Sequence, residues 1–346
     1  MLQQRSGAYR EKLAAPIARI LDVQKADGAI PWFEQGPWDS WNHAECVMAL
    51  GVAGEEAAAR KGLEALAEAQ RGDGAFLSEY GNALPMADHV SIARMPAPQV
   101  LDTNFTAYVA TALEHHRLLF GTRAARPFWP MVRAAIDHVL DHQHDHGDVS
   151  WCAEAHGTGL DDALLAGNAS IHASLGHALD LAAAMRDPQP RWREARQRLG
   201  EAIRARPERF SRSDQERGYH AMDWYYPVLT GVLTGEQAQA RIREEWDRFV
   251  HGDLGCRCVS HEPWVTVAET CELVIALLRC GMNNEAVRLL ELVEARRDTC
   301  GTFWMGWQFS EEIDWPAEKP TWTQAAYVLA LDALEEISPA SGIFAG

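Results

Sequence analysis

Carboxylates stand beside aromatic rings at several points of this chain. Asp223-Trp224-Tyr225-Tyr226-Pro227 sets an acid ahead of three rings, and Glu269 sits in the apolar stretch that runs on through Cys271. A carboxyl group in apolar surroundings is poorly solvated when charged, so its pKa rises and it can hold a proton for transfer near neutral pH. Asp223 and Glu269 are therefore the first candidates for an acid–base pair. Asp102, in Asp102-Thr103-Asn104-Phe105-Thr106-Ala107, is the third. The competing reading of Asp102, as of Asp39 and Thr321, is a helix N-cap.

Candidate binding residues cluster near these acids. Trp38, Trp41 and His43 lie with Asp39, Asn42 and Glu45, and Asn104 follows Asp102. His172 stands behind Asn168 and Ser170, Trp224, Tyr225 and Tyr226 follow Asp223, and Trp322 follows Thr321. His43 and His172 also read as satisfied core histidines. Thirteen tryptophans are many for 346 residues. Rings lining a cavity hold isoprenoid chains and carbocations by dispersion and cation–π attraction. Rings beside carboxylates also form sugar-binding platforms.

What must position these groups is a repeat. Leu21-Asp22-Val23-Gln24, followed by Gly28 and Trp32, recurs as Leu140-Asp141-His142-Gln143, followed by Gly147 and Trp151. Gln70, Gly74 and Phe76 make a third copy, weaker ones end at Gly255 and at Gly301-Thr302-Phe303-Trp304, and the copy expected near 206–218 has lost the signature. Each copy reads as a helix end closed by a left-handed glycine. Trp32, Trp151 and Trp304 would lock these turns. A more apolar helix follows each turn, at 41–53, 103–117, 168–185, 220–233, 265–280 and 321–334. Helices with Arg/Glu faces, such as 55–70 and 237–248, alternate with them. The expectation is an all-α fold, an (α/α)6 barrel of six helical hairpins with polar outer and apolar inner helices. Residues 1–346 would form one domain, with the polar clusters converging on one mouth.

The Gln-x3-Gly-x3-Trp turn around an α/α ring resembles the repeat of squalene–hopene cyclases and protein prenyltransferase β subunits, over about residues 10–336. The resemblance implies a prenyltransferase or terpene cyclase acting on an isoprenoid in the central cavity. It does not carry over the chemistry of that superfamily. Asn104 and Phe105 stand where its DxDDTA motif has the second and third acids, no zinc set of the prenyltransferase type is present, and no DDxxD motif appears. The alternative is a carbohydrate-active barrel, a hydrolase, lyase or epimerase, using paired carboxylates such as Asp223 and Glu269.

Composition narrows the partners to a small molecule. With 32 basic against 49 acidic residues the net charge is −17, which disfavours nucleic acid and anionic membranes. A diphosphate substrate would need Mg²⁺ to bridge it to carboxylates. No run of 18 apolar residues and no apolar leader core is present, so a cytoplasmic chain without a membrane span is expected. The seven cysteines read as reduced thiols, and the lone Cys256-x-Cys258 pair, with His251 and His261 nearby, is too little for a zinc site.

Overall fold

A computed structural model describes residues 2–34, 36–81, 100–154, 161–212 and 217–345. Among these, twelve long helices alternate around a ring. The outer helices are α1 (Leu2–Val23), α3 (Glu56–Ala69), α5 (Trp129–Asp141), α7 (Pro190–Ala205), α9 (Gly235–Phe249) and α11 (Asn283–Glu294). The inner helices are α2 (Ser40–Val52), α4 (Thr103–Phe120), α6 (Leu165–Met185), α8 (Ala221–Leu229), α10 (Val267–Arg279) and α12 (Thr321–Glu335). Each inner helix packs on its two inner neighbours, and α12 returns to α2, so the inner wall is closed. Each outer helix packs on the inner helix that precedes it, and α1 closes the circle against α12. The fold is the expected all-α toroid.

The alternation follows from which faces are apolar. Helix α9 buries only Ala238, Ile242 and Phe249, whereas α12 buries twelve of its fifteen residues. One stripe against the inner ring suffices for an outer helix, but an inner helix has neighbours on most of its circumference.

The repeat turns work as staples. Gln143 donates to Gly147 O at 2.9 Å within its own turn and to Ala195 O at 2.9 Å on the next outer helix. Gln70 does the same with Gly74 O and Met131 O, and Gln24 with Gly28 O and Ala58 O. In the last turn Arg297 replaces the glutamine, donating to Gly301 O and Lys12 O. Gly147 has φ +100°, and a Cβ there would stand 2.5 Å from Arg198 O. Both the left-handed backbone and the close helix approach therefore demand glycine.

A second set of staples comes from the inner helices. After each turn the chain runs extended, and an inner-helix side chain takes its backbone N–H. His43 Nδ1 accepts from Ile30 N at 3.1 Å, Thr106 Oγ1 from Phe76 N, Asn168 Oδ1 from Val149 N, Thr270 Oγ1 from Cys256 N and Gln324 Oε1 from Phe303 N. These buried N–H groups would otherwise lack a partner.

Helix α8 is shorter than the expected 220–233 and ends at Leu229. Pro227 has no N–H for Asp223 O, so Arg241 Nη2 donates to that oxygen at 2.9 Å, and Gly231 then turns the chain at φ +70°. Short antiparallel ladders sit between hairpins at one end of the ring. They are β1 (Val100–Asp102) with β2 (Cys152–Glu154), β3 (Val250–His251) with β4 (Gly255–Cys256), and β5 (Trp264–Thr266) with β6 (Gly306–Gln308) and β7 (Ile313–Asp314). They rigidify the loops that enter the inner helices.

Candidate active site

The inner wall brings Glu45 and Glu272 to one lumen cavity, and the charge of Glu269 acts on Glu272 from one turn away. Glu269 and Glu272 lie one turn apart on α10, a spacing that puts both on one helix face. Glu45 enters from α2. A small cavity, about 20 Å³, is lined by Glu45, Tyr108, Tyr226 and Glu272 and closed below by Leu229 and Phe344.

Glu45 and Glu272 are held by aromatic donors. Tyr226 OH donates to Glu272 Oε1 at 2.7 Å, and Tyr225 OH donates to Glu272 Oε2. Trp41 Nε1 donates to Glu45 Oε1 at 2.9 Å, with Tyr108 OH at 3.5 Å from the same oxygen. Trp41 packs edge-on against Phe105 and Tyr226, which makes a ring-lined wall beside the acids. Thr266 Oγ1 donates to Glu269 Oε2.

This setting changes the acids. Glu272 reaches the lumen surface but is ringed by protein atoms, and the poor hydration of its charged form, reinforced by the Glu269 charge, lifts its pKa to about 7. Its two phenol donors oppose that rise. Burial also raises Glu45 well above the carboxylate range, and the Glu272 charge adds to it. Both acids are thereby held toward their protonated forms. Tyr108, Tyr225 and Tyr226 are pushed well above the ordinary phenol value by burial, so they remain donors. A carboxyl that carries a proton near pH 7 can act as general acid, and a second one within reach can act as base or nucleophile.

The residues expected from sequence divide into two groups. Trp41, Tyr225 and Tyr226 meet at this lumen site around Glu45 and Glu272, and Glu269 lies close enough for its charge to act on Glu272 and Tyr225. Asp223 lines a cleft toward α9, and its Oδ1 accepts from Ala166 N at 3.0 Å. Trp224 also faces outward, stacking on Phe249 and donating to Arg241 O. Asp102 caps α4 through Phe105 N. His43 is one of the turn staples, with Nε2 2.9 Å from Gly62 O, and burial lowers its pKa to about 4. His172 packs toward Gly200 on α7. Trp38 stacks on Tyr80, and Trp322 packs against Trp32 and Phe33. Asn104 is buried, and neither atom of its amide has a partner.

Sequence reasoning passed over Glu272 and did not select Glu45. The signal was available in the helix period: Glu272 is three residues beyond Glu269, and Glu45 is four beyond Trp41. Among the described residues, no group of three or more His, Cys, Asp or Glu side chains is arranged to hold a metal ion. No described helix is long and apolar enough to cross a membrane.

No family model matches the chain. The MMP endo-(1,4)-3-O-methyl-α-D-mannosidase of Mycolicibacterium hassiacum is 43% identical to it over 328 residues, 94% of this chain and 87% of that enzyme. A solved glycosidase variant matches with TM-score 0.68 at 14% identity, covering 94% of this chain and 96% of its own. A D-mannose isomerase matches with TM-score 0.66 at 12% identity, with the same coverage. At those identities the two structures speak for the ring alone.

These findings overturn the kinship with terpenoid cyclases and protein prenyltransferases, and with it the isoprenoid substrate and the prenyl-transfer or cyclisation chemistry. The physical reason lies in the turns. Gln24, Gln70 and Gln143 hold a helix end to the next outer helix, a task that any closed α/α ring sets, so the motif reports architecture and not chemistry. The sugar-directed alternative is the one that agrees with the relatives. By its 43% identity over nearly its whole length, the chain belongs to the family of the mycobacterial endo-mannosidase, a family of carbohydrate-active enzymes.

Proposed function

We propose that this protein hydrolyses internal α-1,4 linkages between 3-O-methylated mannose residues, with Glu272 as general acid and Glu269 as the second carboxylate. Its relative's activity supports the substrate class. The observation that carries the residue assignment is the pair of glutamates one turn apart on α10, one of them near pKa 7. In this reading Glu272 gives its proton to the leaving glycosidic oxygen as the C1–O bond breaks. Glu269 takes a proton from the water that adds to C1, or attacks C1 itself to form a glycosyl ester that water then hydrolyses, with Glu272 accepting that water's proton. Trp41 and Phe105 offer their rings to the sugar, and burial together with the Glu269 charge keeps the proton on Glu272.

The test is incubation of the purified protein with a 4-linked 3-O-methylmannose oligosaccharide, read by mass spectrometry. Shorter oligosaccharides, each product pair heavier than the parent by one water, are expected. Absence of any shortened product, or interconversion of monosaccharides without chain cleavage, overturns the reading. The anomer released in the first minutes, read by proton NMR, then separates attack by water from attack by Glu269.

A further inference from the structure

The end of the ring opposite the candidate active site holds a second cavity, of about 440 Å³, with a chemistry of its own. Arg193 and Arg196 reach it from α7, and Arg279 reaches it from the last residue of α10. Asp180 is the one acid in its lining, and no carboxylate among the described residues lies within ion-pair distance of the three guanidinium groups. This concentration of positive charge occurs in a chain of net charge −17.

The arginines are seated by the fold. Arg196 lies over Gly176, where an added Cβ would stand 3.2 Å from its Cζ, and Arg279 fills the space over Gly231, where any Cβ would collide with its guanidinium. Arg196 Nε donates to His172 O at 3.1 Å, and Arg279 Nη1 donates to Phe344 O. Arg279 Nε is buried and has no hydrogen-bond partner. Burial lowers the pKa of both Arg196 and Arg279, and for Arg279 the Arg196 charge adds to the effect. His177 beside them is held between Thr111 Oγ1 and Ile343 O and is kept neutral by burial. Asp180 acts on Arg196 alone and from beyond ion-pair distance, and two half-buried like charges with so little compensation are costly unless an anion joins them. Guanidinium forks match the oxygens of a tetrahedral oxyanion.

We propose that this cavity is a binding site for a small oxyanion of the phosphate type, free or carried on a small metabolite. Leu229 and Phe344 line both this cavity and the small lumen cavity beside Glu45 and Glu272, so the bound anion would sit directly beneath the lumen floor. Its cavity is larger than inorganic phosphate requires, which leaves room for a carrier.

The experiment is calorimetric titration of the full chain with inorganic phosphate and with mannose 6-phosphate, at constant ionic strength set by chloride. Saturable binding is expected. Arg193→Glu and Arg196→Gln should each weaken it at least tenfold. Arg193 is exposed, so its reversal leaves folding intact, which melting of the variant checks. A sugar phosphate at least tenfold tighter than phosphate identifies a carried group, and equal affinities identify the free ion. Heat indistinguishable from a chloride control, or unchanged affinity in both variants, overturns the proposal.

Discussion

His43 and Asn168, in the ring of turns, answer every polar atom around them. Asn168 alone accepts from Val149 N and donates to Val149 O and Leu164 O. Glu45 and Glu272, in the lumen, are also hydrogen-bonded, yet their environment works against their charge. Both regions bury polar side chains on inner helices, often within one turn of each other. The inner-helix staples of the turns are neutral groups matched to backbone donors and acceptors. The lumen uses carboxyls, which keep a proton in reserve. A polar residue matched to backbone at a turn is architecture, and a carboxyl matched only to phenols and indoles in a cavity is poised for chemistry.

The contrast breaks first at Glu272. Glu272→Gln preserves shape and removes the proton. It should lower kcat by roughly 10²- to 10⁴-fold while the circular dichroism spectrum is unchanged. An active variant would move the acid elsewhere in the lumen. On the architectural side, Gly147→Val places a branched side chain at φ +100° against Arg198 O and should cost on the order of 3 kcal/mol, read from denaturant unfolding.

A gentler test removes one staple. His43→Ala leaves Ile30 N and Gly62 O unmatched and should cost about 1–3 kcal/mol, with KM unchanged if the ring holds its shape. A raised KM with unaltered stability would return His43 to the binding site. The last test is a pH dependence. Because folding raises the Glu272 pKa from 4.5 to about 7, its contribution to stability is full below the lower value and is lost as pH rises through the higher one. The melting temperature of Glu272→Gln should therefore gain on that of the wild type between about pH 5 and pH 8. A constant difference would mean that Glu272 titrates alike in both states.

The ring was legible because its signals are local and repeated. Gln143, Gly147 and Trp151 recur at fixed offsets, and the inner helices announce themselves by unbroken apolar sequence. The lumen was legible only in part. Trp41, Tyr225 and Tyr226 stood out because acids and rings lie close along the chain, and Glu269 because it interrupts an apolar stretch. Glu272 was not, because its phenol partners lie 46 and 47 residues away on α8. Asp223 shows the converse. Its rings are neighbours in sequence, but Tyr225 and Tyr226 turn to the lumen while Asp223 and Trp224 share the outer side of α8. The family could not be read from the turn motif for the same reason that the fold could.

Closure of the circle has a kinetic side. The seam joins α1 to the last hairpins through Tyr9 with Glu335, Lys12 with Glu294 and Arg19 with Lys319 O, partners separated by 326, 282 and 300 residues. An open solenoid can nucleate anywhere and fray from its ends. Here no hairpin is terminal, and the final contacts demand the longest loop closure the chain can make. High contact order at a single seam slows the last step of folding and couples every hairpin to that step. Once sealed, the α1–α12 seam ties the first described helix to the last hairpins, so its rupture should release several hairpins together, which hydrogen exchange of α1 and α12 amides would show.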